Sequence, residues 1–156
     1  MQPTASLTPL SRLTLLVFRA QQAITRDGDR LAAPWGVTAA QWKALGAVSL
    51  AEGSATAAAV GRRMGMSRQA AAKQARILAE RGLLERRENP ADARAPVYSL
   101  TPLGRATLEE IGAVWSRRGT TLAKGLDDAG LDGACGVLEN LLDRLEGPPG
   151  PPTGWT

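Results

Sequence analysis

The 156-residue sequence has no histidine and only one cysteine, one phenylalanine and one tyrosine. Without histidine it lacks the commonest general base and the commonest transition-metal ligand. A zinc or copper site would have to be assembled from Cys135 and carboxylates, a poor ligand set. One cysteine cannot build an intrachain disulfide framework, which fits a reducing cytoplasm. The longest apolar run near the N-terminus, Leu13 to Phe18, is broken by Thr14 and bounded by Arg12 and Arg19. It is too short for a signal peptide or a membrane span, so a cytoplasmic protein with no membrane partner is expected. No glycine loop of the phosphate-cradling kind is present, and no internal repeat. Catalytic residues, metal and cofactor are therefore expected to be none. A catalytic domain beside an accessory region is disfavoured too, because no segment is long enough to hold one separately.

Apolar residues make up 44% of the chain. They are mostly Leu, Ala and Val, which suits closely packed helices in one compact domain or one protomer of an intertwined oligomer. The formal charge is +4, and its location matters more than its size. Between Arg62 and Arg94 lie nine cations (Arg62, Arg63, Arg68, Lys73, Arg76, Arg81, Arg86, Arg87, Arg94) against four acids (Glu80, Glu85, Glu88, Asp92). That local excess is larger than the excess of the whole chain, so the rest is slightly acidic. A concentrated basic segment is the electrostatic footprint of a nucleic-acid binder.

Inside that segment, Met66 to Leu84 reads as a helix with Ser67 as N-cap and Gly82 as its left-handed stop. Helical spacing puts Ala71, Ala75 and Leu78 on one face, taken as buried, and Arg68, Gln69, Ala72, Lys73 and Arg76 on the other. Arg and Lys pair with phosphates or guanine edges, Gln reads adenine, and Ala permits close approach or touches a thymine methyl. Alone, the stretch fits a DNA recognition helix or a surface helix with a solvated basic face equally well. Its neighbours separate the two. Upstream, Thr56 to Met64 is a short helix pattern ending at Gly65, which makes a helix-turn-helix. Downstream, Leu83 to Arg87 and Val97 to Leu100 read as two short strands around the charged loop Glu88 to Ala95.

This order of elements, helix, turn, helix and basic-tipped hairpin, is a winged helix-turn-helix. The chain resembles the MarR family of bacterial transcription regulators over roughly residues 8 to 146. The resemblance rests on Val37-Thr38 with Gln41-Trp42 and Leu45, on Leu83-Leu84-Glu85-Arg86 after Gly82, on Asn89-Pro90 with Asp92 and Arg94-Ala95, and on Leu100-Thr101-Pro102 with Gly104-Arg105. The expected fold is mainly α with a small β-wing, a winged helix-turn-helix flanked by N- and C-terminal dimerisation helices. As one MarR-like domain over 1–156 it would have dimerisation helices at 8–33 and 102–146, the winged helix-turn-helix at 38–101, and a disordered tail at 147–156. That tail, GPPGPPTGWT, cannot form a helix or sheet core.

The family implies a ligand-responsive homodimeric repressor on a pseudo-palindromic operator in double-stranded DNA, with a small-molecule effector. The DNA-binding candidates are Thr56, Ser67, Arg68, Gln69, Lys73, Gln74, Arg76, Arg86, Asp92 and Arg94. In the family the wing arginine, here Arg94, reaches the minor groove and the acid, here Asp92, braces it; a plain loop salt bridge is the alternative. Three positions depart from the pattern: Ala93 replaces a frequent Arg, Pro96 enters the return strand and delays or bulges it, and Gln74 replaces an apolar residue. Arg62 and Arg63 either touch backbone phosphates or form a solvated pair.

The chain ends carry the other candidates. After a polar lead at residues 1 to 9, Leu10, Leu13, Val17, Ala20 and Ile24 recur at helical spacing, with Leu16 and Ala23 on a second edge. Residues 26 to 36 read as a connector containing Gly28, Pro34 and Gly36, and Thr38 caps the next helix. Thr101-Pro102 starts a long helix that runs to about Gly125 and is broken by Asp127, Asp128 and Gly130. Leu131, Cys135, Leu138, Leu142 and Leu145 then form a narrow apolar seam. Leu10, Leu13, Val17, Leu131, Leu138, Leu142 and Leu145 are the candidate dimer interface. Trp35, Trp42 and Trp115 are candidates for an effector pocket, although Trp42 also reads as core and Trp35 as a packed linker. Two functional alternatives stand beside this one: a winged-helix protein-interaction module without DNA binding, and a thiol redox-sensing regulator through Cys135, disfavoured by a seam position that would bury the thiol.

Overall fold

The computed structural model describes residues 7–51 and 53–147. The expected tail from 148 onward, most of the polar lead, and Glu52 of the turn Glu52-Gly53-Ser54 lie outside the described residues. The chain divides into two compact units, residues 1–116 and 117–156.

In the first unit, helix α1 (Pro9–Ala32) starts at Thr8, whose hydroxyl accepts from Ser11 N at 3.2 Å, with Pro9 in the first turn. It continues to Ala32, through the first part of the stretch 26 to 36 that reads as a connector. Gly28 does not break it but lets helix α2 (Ala39–Ser49) come close: a Cβ on Gly28 would lie 3.1 Å from the Ala39 Cβ. The real connection is a 3-10 turn, Ala33–Trp35, ended by Gly36 at φ 63°. Thr38 and Gln41 form a capping box on α2: Gln41 N donates to the Thr38 hydroxyl at 3.2 Å, and Thr38 N to Gln41 Oε1 at 3.0 Å.

Next come strand β1 (Ala55–Thr56), helix α3 (Ala57–Met64), helix α4 (Arg68–Glu80), strand β2 (Leu84–Arg87), strand β3 (Val97–Leu100) and helix α5 (Pro102–Leu122). The sheet has three antiparallel strands in the order β1-β3-β2, not two. β1 is only two residues long, too short for a sequence period to show, and it exists because β3 offers an edge at Val97 and Tyr98. Leu83, read as strand, lies just before β2. Pro96 lies just before β3, so the return strand begins late.

The core is built of small residues, including Ala32, Ala44, Ala47, Ala71 and Ala75, around the fully buried Leu45, Leu78, Ile111 and Val60. Small side chains let the helices pack closely, which explains how a core forms with so few aromatics. Gly104 permits another close approach. A Cβ there would overlap the carbonyl oxygen of Leu83. That carbonyl also accepts from Thr101 N at 3.2 Å, and the Thr101 hydroxyl donates to the Gly82 carbonyl at 2.6 Å. The end of α4 and the start of α5 are thus tied together.

The second unit contains the end of α5 and helix α6 (Asp128–Glu146). Gly130 lies inside α6 rather than ending the preceding helix. The break falls at the left-handed Gly125, and the Asp127 carboxylate caps α6 by accepting from Gly130 N. None of the α6 residues is buried, and Leu142 and Leu145 are 54% and 72% exposed. Cys135 is exposed as well, so the seam does not bury its thiol within one chain. Among the described residues no helix is long and apolar enough to cross a membrane.

Candidate nucleic-acid interface

The helix-turn-helix is fixed by local chemistry at each end. Thr56 caps α3 by accepting from Ala59 N at 3.3 Å, and Gly65, at φ 61°, turns the chain toward α4. Gly61 makes the turn tight, since a Cβ there would lie 2.8 Å from the Met66 carbonyl oxygen. Ser67 caps α4, accepting from Ala70 N at 3.1 Å. At the other end Leu83 N bonds to the Leu78 carbonyl at 2.9 Å and Gly82 N to that of Ala79 at 3.0 Å. This is a Schellman closure, with Gly82 at φ 70° in the left-handed position.

Ala71, Ala75 and Leu78 are fully buried, as their spacing predicts. Arg68, Gln69, Ala72, Lys73 and Arg76 are exposed, and Gln74 is half-buried at the edge between the two faces. Ala72, Lys73, Arg76, Arg86, Pro96 and Tyr98 line an open cleft of about 530 Å³ between α4 and the hairpin. Three cations from two elements therefore share one concavity.

The sheet register explains which hairpin arginine takes part. Arg86 stands opposite Tyr98 and shares its face, while Glu85 and Arg87 alternate to the other side. There the Arg87 guanidinium donates to Glu85 Oε2 at 2.7 Å. This hydrogen bond holds the Glu85 carboxyl below the usual range and raises Arg87. Arg76 is also partly engaged, 3.6 Å from Glu80 one turn along an exposed surface.

The wing tip is held by its own side chains. Asn89 Nδ2 donates to the Ala95 carbonyl at 3.0 Å and its Oδ1 accepts from Ala91 N at 3.1 Å. Asp92 Oδ1 accepts from the backbone N–H of Arg94 at 2.9 Å. The brace expected between Asp92 and Arg94 therefore runs through the backbone, because a carboxylate two residues upstream meets the amide before the guanidinium. Among the described residues Arg94 has no carboxylate within ion-pair distance, and it is exposed.

Sequence reasoning quoted Asn89 with Pro90 in the wing motif but gave its side chain no role, and it missed Tyr98, whose place depends on strand register. It also counted Arg81 in the basic footprint, whereas that exposed side chain is engaged by the carbonyls of Trp35 and Gly36. Arg62 and Arg63 are exposed at the end of α3.

Of the three candidate tryptophans, Trp42 borders a described cleft and the other two are placed by their partners. Trp42 lines a cleft of about 380 Å³ with Lys43, Gly46, Ser49, Leu50, Met64 and Leu108. Trp115 meets Trp42 edge-on, with ring centroids 5.4 Å apart, and the Trp35 indole donates to Glu110 Oε2 at 2.5 Å. Trp115 thus reaches the cleft lining through Trp42, whereas Trp35 is paired with Glu110, which is not part of that lining. Among the described residues no group of three or more His, Cys, Asp or Glu could hold a metal ion.

Comparison with known proteins agrees with this architecture. The model of the MarR family matches residues 35–95. An uncharacterized protein of Mycobacterium tuberculosis is 31% identical over 137 residues, covering 88% of this chain and 94% of its own length. The crystal structure of a MarR family transcription regulator is 30% identical with a TM-score of 0.67, over 86% of this chain and 93% of that one. A mutant MarR from E. coli complexed with operator DNA is 25% identical with a TM-score of 0.71, over 87% and 94% of the two chains. With its winged helix-turn-helix and flanking helices, the chain belongs to the MarR family of transcription regulators.

Proposed function

We propose that this chain is a sequence-specific DNA-binding repressor that acts as a homodimer and is released by a small molecule. The observation that carries the reading is the exposed face of α4, where Arg68, Gln69 and Lys73 stand clear of the core while Lys73, Arg76 and Arg86 share one open cleft. Such a face offers phosphates several cations and offers base edges an amide and an ammonium. Thr56 and Ser67 add hydroxyls at two helix starts, and Arg94 extends from a braced wing toward a flanking minor groove, whose negative potential favours an arginine. The likeness to a MarR solved with operator DNA supports the same assignment. No enzymatic activity is proposed.

One lobe makes few phosphate contacts, whereas two linked lobes share a single association cost. Two-fold symmetry then calls for a pseudo-palindromic site with half-site centres about 10 base pairs apart. The effector is assigned to the cleft beside Trp42, whose mostly apolar lining with Lys43 fits a small apolar molecule bearing one acidic group.

Selection of DNA by the purified protein from a random pool, followed by salt-dependent gel shifts, tests the function. An enriched inverted repeat bound with a steep salt dependence is expected. No enrichment, together with binding that ignores salt, would point instead to a protein-interaction module.

A further inference from the structure

Arg81 follows the last residue of α4, and its exposed guanidinium is held by hydrogen bonds to the protein's own backbone. Nη1 donates to the Gly36 carbonyl at 2.7 Å and to Gln41 Oε1 at 3.5 Å, and Nη2 donates to the Trp35 carbonyl at 3.0 Å. These two carbonyls stand at the C-terminal end of a helical turn, where backbone acceptors lack intrahelical partners and the dipole is negative. A planar fork holds both at once, which an ammonium on a flexible stem does not. Gly36 suits this approach on two counts: its φ is 63°, and a Cβ would lie 3.2 Å from Arg81 Nη2. Gln41 is 7% exposed, and its Oε1 is already held by Thr38 N, so the clamp closes on a preformed cap. On its other side Trp35 continues the chain of contacts, its indole N–H donating to Glu110 of α5 at 2.5 Å. A polar line Glu110–Trp35–Arg81 therefore joins α5 to the end of α4 alongside the apolar core.

We propose that Arg81 is a positioning residue for DNA binding, which with Trp35 and Glu110 sets the angle at which α4 is presented. The proposal rests on the DNA-binding reading above. The reading side chains Arg68, Gln69 and Lys73 occupy the first half of α4, and the clamp grips its last turn. A 13-residue helix is about 20 Å long, so a tilt of about 5° at the clamped end displaces the other by roughly 1.7 Å. Base contacts tolerate only about 0.5 Å. Loss of the clamp should therefore cost sequence recognition while leaving phosphate attraction intact.

The test uses the full chain and the duplex it selects from the random pool, titrated by fluorescence anisotropy at several salt concentrations beside an unrelated duplex. Arg81→Ala and Arg81→Lys should weaken binding to the selected site about 3- to 20-fold, and Trp35→Phe and Glu110→Gln by less. Binding to the unrelated duplex, the salt slope and the thermal midpoint should stay close to wild type, and the loss in an Arg81→Ala/Trp35→Phe double variant should be less than additive. Three results would overturn the proposal. One is a salt slope reduced by about 1 in Arg81→Ala and restored by Lys, which makes Arg81 a phosphate contact. Another is a parallel loss on both duplexes that tracks the thermal midpoint, which makes it purely structural. The third is wild-type affinity in all four variants. If the Arg81 variants do not fold, Trp35→Phe and Glu110→Gln carry the same readouts, since each alters one surface hydrogen bond. Wild-type protein that selects no DNA sinks the DNA-binding reading itself, a separate outcome.

Discussion

Which α4 side chains can reach a base depends on where each Cα stands around a helix of only 13 residues. Gln69 and Lys73 are one turn apart on the side opposite the buried Ala71 and Ala75, and both are exposed. Gln69→Ala is expected to cost about 1–3 kcal/mol at the operator and to relax the preference at one base pair, read from repeated DNA selection. An unchanged preference would remove this face from the major groove. Arg94→Ala should instead weaken specific and unrelated DNA more evenly and lower the salt slope by about 1. Gly104 poses a different residue-scale question. Alanine is the better helix former by about 1 kcal/mol, yet here its methyl would overlap the Leu83 carbonyl oxygen. The overlap is with backbone, which cannot rotate away, so Gly104→Ala should destabilise the fold by about 1–3 kcal/mol in urea unfolding.

At the scale of elements, the wing is a hairpin whose loop is ordered by its own polar side chains. Asn89 satisfies one carbonyl and one amide across the loop, and Asp92 satisfies the amide of Arg94. Asn89→Ala removes two of these bonds, each worth about 0.5–1.5 kcal/mol. Faster amide exchange confined to residues 89–95 is expected, with weaker DNA binding and an unaltered sequence preference, because α4 is not touched. A changed preference would mean that the wing reads bases. The ion pair on β2 gives the hairpin a pH dependence of known sign. The Glu85 carboxyl is held below its ordinary range by Arg87, so its contribution is present above the unfolded pKa and is lost as pH falls through the folded one.

At the scale of the molecule, the apolar side chains of α1 and α6 remain uncovered in a single chain. Leu10 is 58% exposed, Val17 36% and Leu142 54%, while Leu13 and Leu138 are half-buried. Burying this surface between two protomers is the proposed role of Leu10, Leu13, Val17, Leu131, Leu138, Leu142 and Leu145. Leu142→Asp tests it with little effect on the single-chain fold, because that side chain already faces solvent there, and Leu138→Asp is the companion variant. In a dimer seam the new carboxylate must stay charged and unpaired or take up a proton, at a cost of several kcal/mol. A monomer by light scattering, with operator binding lost and α4 intact, is the expected result. A Leu142→Asp protein that stays dimeric and binds the operator normally would remove α6 from the interface.

The linear order of residues determined most of the framework, because the signals concerned are local. Ser67 and Thr38 act within three residues of themselves, and the Ala71, Ala75 and Leu78 stripe follows from 3.6 residues per turn. Those rules placed the helix-turn-helix, the hairpin and the start of α5. Tertiary structure decided whatever depends on partners distant in sequence. Gly28 looks like a helix breaker until Ala39 is packed against it, and the two-residue β1 has no meaning without the edge of β3. Arg86 and Arg87 are adjacent identical residues, and only strand register sends one to the cleft and the other to Glu85. Arg81 is the clearest case. By composition it is one more surface cation, but two carbonyls 45 and 46 residues away hold its exposed guanidinium, because helix-end acceptors without an intrahelical partner favour a charge-assisted donor.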